Sequence, residues 1–136
     1  KWNKAADMTD LENMTLITCS GTIGKVTLVG KQWENWTANQ HIIRVVPTNE
    51  DIAGYLNIFL SSDYGQPLIT RFTYGSVVDE IDDNHVSQIV IPLLKNQDIQ
   101  KRINDLALDA NEKRYEAYLL EQEALKIMDE EVIYVK

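Results

Sequence analysis

The stretch Thr15-Leu16-Ile17-Thr18-Cys19-Ser20-Gly21-Thr22-Ile23-Gly24-Lys25-Val26-Thr27-Leu28-Val29 decides the fold of the first half of this chain. Two runs of β-branched and aliphatic residues are separated by Ser20-Gly21-Thr22-Ile23-Gly24, the pattern of a hairpin with a glycine turn. Gly21 and Gly24 supply positive φ or close backbone approach. Working outward, Gly30-Lys31-Gln32 turns the chain again. A loop containing Trp33, Asn35 and Trp36 follows, and His41-Ile42-Ile43-Arg44-Val45-Val46 makes a third strand that Pro47 closes. The first third of the chain is expected to be mostly β.

Asp51 reads as a helix N-cap followed by Ile52, Tyr55, Leu56, Phe59 and Leu60 at helical spacing, with Ser61-Ser62 as the stop. A second short helix is expected from Tyr64 to Phe72. Val77 and Val78, Ile81, and then Val86, Ile89, Val90 and Ile91 read as short strands or extended segments ending at Pro92. The half before Lys95 is therefore α+β. We expect residues 1–95 to form one recognition-sized domain and residues 96–136 a long helical region.

After Asn96 there is no Gly or Pro, and the charge-rich pattern suits one helix from about Asp98 to Asp129. At 1.5 Å per residue it would be roughly 50 Å long. Its apolar positions are Ile99, Ile103, Leu106, Ala110, Ala117, Leu120, Ala124 and Ile127, in alternating steps of four and three apart from the slot held by Lys113. That is a coiled-coil seam, and Ala110, Ala117 and Ala124 on one line let a neighbouring helix approach closely.

Composition bounds what such a chain does. The 136 residues, 44% hydrophobic, suffice for a core without disulfides or metals. The single cysteine, Cys19, leaves neither a disulfide framework nor a Cys-rich zinc site, which suits a reducing compartment, and the cytoplasm is expected. The longest apolar run, Ile89 to Leu94, contains Pro92 and falls far short of the roughly 20 residues that span a bilayer, so no membrane role is expected. Because the chain opens on Lys1 with no charged-then-apolar leader, it reads as a processed product or a piece of a longer one. The triplets Asn13-Met14-Thr15 and Asn35-Trp36-Thr37 match a glycosylation pattern that arises often by chance. Thirteen basic against 21 acidic residues give a net charge of −8, split evenly at Lys95 into −4 (7 minus 11) and −4 (6 minus 10). Taken alone this argues against nucleic acid, so any DNA surface must be a local patch or borrow cations from a partner.

The order of signatures nevertheless resembles one family. Cys19-Ser20-Gly21-Thr22-Ile23-Gly24-Lys25-Val26 comes first, then Asn39-Gln40-His41-Ile42-Ile43-Arg44-Val45, then Tyr55-Leu56 leading to Ser61-Ser62, Gly65-Gln66 and Ile69. Gly75-Ser76, Ile81, Ile89-Val90-Ile91-Pro92-Leu93 and the long helix complete it. Together they cover nearly the whole chain and resemble the specificity subunits of type I restriction-modification enzymes. The resemblance implies a non-catalytic DNA reader. Such subunits carry two target-recognition domains, each reading half of a split site, held apart by long antiparallel helices on which methylation subunits dock. This chain looks like half of one. The implied partners are double-stranded DNA, a methylation subunit and through it the restriction subunit, and a second recognition half or a second copy paired through the helix. No cofactor is expected of the chain itself.

Candidate DNA contacts carry alternative readings. Gly21 to Lys25 lacks the spacing of a nucleotide-binding loop. It is either a framework turn or a phosphate contact through backbone N–H groups, Thr22 and Lys25. Trp33, Trp36, Thr37, Asn39 and Gln40 form a loop rich in groups that hydrogen-bond base edges, Asn and Gln suiting adenine. The two Trp read equally as packing anchors. Since the signature from Gln40 to Val45 recurs among relatives with different targets, Trp36, Thr37 and Asn39 are the better readout residues. Lys31, Arg44 and Arg71 are either solvated or on phosphate. Tyr74 and Ser76 reach a groove or cap a turn.

Catalysis finds no foothold. Asp79, Glu80, Asp82 and Asp83 are the densest carboxylates, yet no Lys follows at nuclease spacing before Lys95, and solvated loop ends explain them. His41 and His85 lack a zinc partner set, and no Asn-Pro-Pro-Tyr type motif for adenine methylation occurs. The rival readings are the recognition domain of a fused restriction-methyltransferase, a coiled-coil oligomerisation or adaptor protein that never touches DNA, and a metal-dependent nuclease acting through the acidic cluster.

Overall fold

The computed structural model describes residues 11–71, 73 and 80–134, and within them the chain is mixed α+β with a long C-terminal helix. Strands β1 (Thr15–Thr18), β2 (Val26–Leu28) and β3 (Ile42–Val45) form an antiparallel sheet in the order β2-β1-β3. The hairpin is where the glycine turn put it, with φ +73° at Gly21 and +82° at Gly24. In register, Thr15 pairs with Leu28 and Val45, and Ile17 with Val26 and Ile43. Alternation therefore sends Thr15 and Ile17 inward, both fully buried, and leaves Leu16 opposite Thr27 and Arg44 on the outer face.

Against the inner face packs α1 (Ala53–Ser61), whose Leu56 and Leu60 join Ile17, Cys19, Ile69 and Ile81 in the core. The expected start at Asp51 is corrected. Glu50–Ile52 form a 3-10 turn, and α1 begins at Ala53 with no cap from a neighbouring side chain. The second helix, α2 (Gly65–Thr70), is shorter than the stretch from Tyr64 to Phe72 suggested. The expected strand or extended segment at Val86 is also corrected, because Val86 lies inside α3 (Asp83–Ser87). The reason is local: Asp82 accepts from the His85 N–H at 2.9 Å while the His85 Nδ1 accepts from the Asp82 N–H at 3.2 Å, a reciprocal cap that outweighs β propensity. Val77 and Val78 lie outside the described residues.

The long helix α4 runs Gln97–Met128, 32 residues, started by Asn96, whose side chain accepts from the Asp98 and Ile99 N–H groups. One turn of π-helix, Asp129–Ile133, follows. Among the described residues no helix is long and apolar enough to cross a membrane.

A finding absent from the sequence reading is that α4 uses two faces. About its first four turns rest on the domain through Gln100, Asn104, Ala107 and Asn111, all buried, with Asn104 and Ala107 against Gly54 of α1, Gln100 on Leu94 and Asn111 on Val29. This line of three amides and an alanine lies roughly a third of a turn from the apolar seam. The seam itself stays in water: Ile99 is 50%, Leu106 61%, Leu120 68% and Ile127 53% exposed. Ile103 and Ala110 are half-buried, whereas Ala117 and Ala124 are exposed. Lys113, in the interrupted slot, reaches Asp109 one turn back at 3.3 Å.

Candidate nucleic-acid interface

The strand register sorts the candidate residues. β3 enters beside the end of β1, with Thr18 paired to Ile42, so the glycine turn and the end of the following loop share one edge of the sheet. There the Cys19 N–H donates to the His41 carbonyl at 2.9 Å and the Asn39 side chain accepts from the His41 N–H at 3.0 Å. Thr22, Lys25 and Asn39 are brought to this edge, all exposed. The turn is firm: the Thr18 hydroxyl donates to the Thr22 carbonyl and accepts from the Lys25 N–H at 3.0 Å. At Gly24 a side chain would come within 3.4 Å of Gln66 and Thr70 on α2, whose next residue is Arg71. Arg71 is exposed.

The loop between β2 and β3 is ordered by its own backbone. After a 3-10 turn over Lys31–Trp33, the Trp36 N–H donates to the Trp33 carbonyl at 3.0 Å. Glu34 at φ −57°, ψ 136° and Asn35 at φ +67° give that turn type II geometry, Asn taking the left-handed position. Trp36 emerges 63% exposed, with Thr37 exposed beside it. The reading of Trp33 and Trp36 as packing anchors is therefore corrected for Trp36: the turn lifts its indole away from the core.

Two of the candidate cations have intramolecular work. Arg44 is half-buried on the outer face of the sheet, and its guanidinium donates to the Ala38 carbonyl at 3.0 Å, tying the loop down. Lys31 sits at the opposite end of the sheet, 2.6 Å from the Glu112 carboxylate of α4 and 5.8 Å above the Tyr115 ring. The hydrogen bond it donates to Glu112 raises its pKa above the ordinary lysine value. Tyr74 and Ser76 lie outside the described residues.

The same edge also carries negative charge. Ser20 bridges to Glu80, and Asp82 and Asp83 stand with Gln40 and Arg44 around a shallow concavity. Among the described residues no group of carboxylates, histidines and cysteine is placed to hold a metal ion. Burial first, and then the nearby Glu80 charge, raise the Cys19 thiol pKa. The arrangement can thus offer hydrogen-bonding groups, an exposed indole and a few cations to a polyanion, against local acidic repulsion. Comparison with protein-family models and with curated proteins finds no match for this chain.

What the sequence missed is the amide line of α4. Its signal was present: Asn104 and Asn111 stand seven residues apart in a helix where Asn is a poor former, and Gln100 one turn before them continues the line.

Proposed function

We propose that this chain is a DNA-recognition half of a type I restriction-modification specificity subunit, which directs partner methylation and cleavage subunits to a split site. The observation that carries the reading is an apolar heptad seam left exposed along a 32-residue helix that is already docked, by another face, on a small α+β domain. A stripe of that length in water calls for a mate. The edge with Thr22, Lys25 and Asn39, together with the Trp36 loop, then faces one half-site, phosphate contacts setting register and loop groups reading bases.

The seam also favours an antiparallel mate. In a parallel pair each position meets its own copy, which sets Lys113 against Lys113 and alanine against alanine, leaving unfilled layers. In an antiparallel pair the line of Ile99, Leu106, Leu120 and Ile127 faces the line of Ala110, Ala117 and Ala124, large against small. The mate is the helix of a second recognition half or of a second copy.

The test is sequence selection from randomised duplex DNA by the chain assembled with a methylation subunit. Enrichment of a split motif supports the reading, and its absence overturns it. The chain alone is expected neither to cleave nor to methylate, and magnesium-dependent nicking above a mock purification would count against this assignment. A coiled-coil adaptor with no DNA role is the second reading. The net charge of −8 favours it, and it predicts no enriched motif in the same experiment.

A further inference from the structure

The polar contacts between domain and helix form a line. Gln100 accepts from the Leu94 N–H at 2.9 Å, and Asn111 donates to the Val29 carbonyl at 3.0 Å. Lys31 grips Glu112 at 2.6 Å beyond it. At the centre, the Asn104 carboxamide oxygen accepts from the Gly54 N–H at 2.9 Å and the Tyr55 N–H at 3.2 Å. These are first-turn donors of α1, which no side chain near it in sequence caps. The cap comes instead from another helix some fifty residues away in the chain.

Apolar contacts slide, because dispersion is non-directional, whereas paired buried hydrogen bonds tolerate little misalignment. The contact is also close. A Cβ on Gly54 would stand 2.5 Å from the Asn104 carbonyl oxygen and 2.9 Å from the Ala107 Cβ, so backbone meets backbone with no flexible side chain to give way. Gly54 fixes how near the helices come, and Asn104 fixes their register and angle.

We infer that Asn104 and Gly54 are positioning residues that set the angle at which α4 leaves the domain, and that through this angle they select the spacing between the two half-sites. The second clause rests on the DNA-recognition reading; the first does not. The leverage is large. About 36 Å of helix lies beyond Asn104, so a tilt of about 10° moves its far end by roughly 6 Å, nearly two base-pair steps of about 3.4 Å. Apart from half-buried Ile103 and Ala110, the seam lies exposed roughly a third of a turn from this junction, so a change at Gly54 leaves those exposed pairing residues intact.

The experiment measures the angle directly. In a Cys19→Ala background, spin labels at Glu34→Cys and Glu121→Cys report the distance from loop to helix within one copy, with excess unlabelled chain present. Parent and Asn104→Asp, which keeps the acceptor oxygen, should give the same narrow distribution. Gly54→Ala should give a distribution displaced by several ångströms, and Asn104→Leu a broad one, with Asn104→Ser replacing it where the leucine variant does not fold. Unchanged distances in folded Gly54→Ala and in the Asn104 variant that lacks the acceptor overturn the positioning role. DNA selection is the second arm. Gly54→Ala should shift the preferred spacer by one or two base pairs while keeping the half-site sequences. A displaced distance with an unchanged spacer overturns the link to spacing. A parent chain that selects no motif overturns the DNA reading and leaves the angle measurement standing.

Discussion

Lys31 Nζ stands 2.6 Å from one Glu112 oxygen and 2.8 Å from the other, so a cation expected to be either solvated or on phosphate is spent on joining the β2–β3 loop to α4. Lys25, by contrast, has its side chain exposed at the edge shared with Thr22 and Asn39. Replacing Lys25 with Ala is expected to lower the slope of log binding constant against log salt by about 1, the signature of one lost phosphate contact. Lys31→Ala should leave the slope unaltered. Titrations at several salt concentrations check both, and equal slopes for Lys25→Ala and the parent would remove Lys25 from the interface.

Asn104→Ala strands two buried N–H donors at the start of α1 and should destabilise the fold by about 1–3 kcal/mol. Asn104→Asp keeps the acceptor and adds a charge favourable at a helix N-terminus, so it should cost less. Urea unfolding followed by circular dichroism reads the difference. Equal midpoints for the alanine variant and the parent would show that the cap contributes nothing.

The seam makes the third prediction. Ala117→Glu puts a carboxylate and added volume at the helix contact, with an expected penalty of a few kcal/mol on association and almost none on the monomer, since Ala117 is exposed there. In sedimentation equilibrium the parent should dimerise through a two-fold pair and the variant should not. A monomeric parent, or a variant that dimerises as well as the parent, refutes this use of the helix.

Trp36, Thr37 and Asn39 are exposed, and replacing all three with Ala gives up the hydrogen bond from the His41 N–H to Asn39, so stability should fall by about 0.5–1.5 kcal/mol with the fold kept. Sequence-selective modification by the assembled complex should be lost. If the triple variant modifies the same sites as the parent, the readout lies elsewhere.

Burial and the Glu80 charge raise the Cys19 thiol above its ordinary value of 9.0, so the folded chain holds this proton more tightly than the unfolded one. The resulting stability is complete below the unfolded value and is lost as pH rises through the folded one. Alkaline destabilisation above pH 9.0 should therefore be smaller in Cys19→Ala, relative to its own neutral value. Native-state alkylation at neutral pH should be slow and should quicken in urea. Rapid labelling of the native chain would contradict the burial.

The glycine hairpin, the third strand before Pro47 and the long helix were all legible because each is written in local terms: turn glycines, a run of β-branched residues, and a breaker-free heptad pattern. Val86 misled because the Asp82–His85 reciprocal cap, a two-residue signal, decided against an apolar run that looked like strand. Asp51 misled because a good capping residue sits one 3-10 turn too early. For the candidate site, the residue types were readable but their grouping was not. Lys25 and Lys31 are six positions apart, yet the sheet carries them to opposite ends.

Sequence alone determined the glycine hairpin, the third strand, the long helix and its heptad seam, because turn glycines and residue period are properties of a single chain segment. Only tertiary structure decided that α4 rests on the domain through buried amides, that Asn104 caps a helix it does not belong to, and that Lys31 is bound while Trp36 is bare. The physical reason is that an amide or ammonium is satisfied equally by water, backbone or carboxylate. Its type does not name its partner, and geometry between distant segments makes the choice.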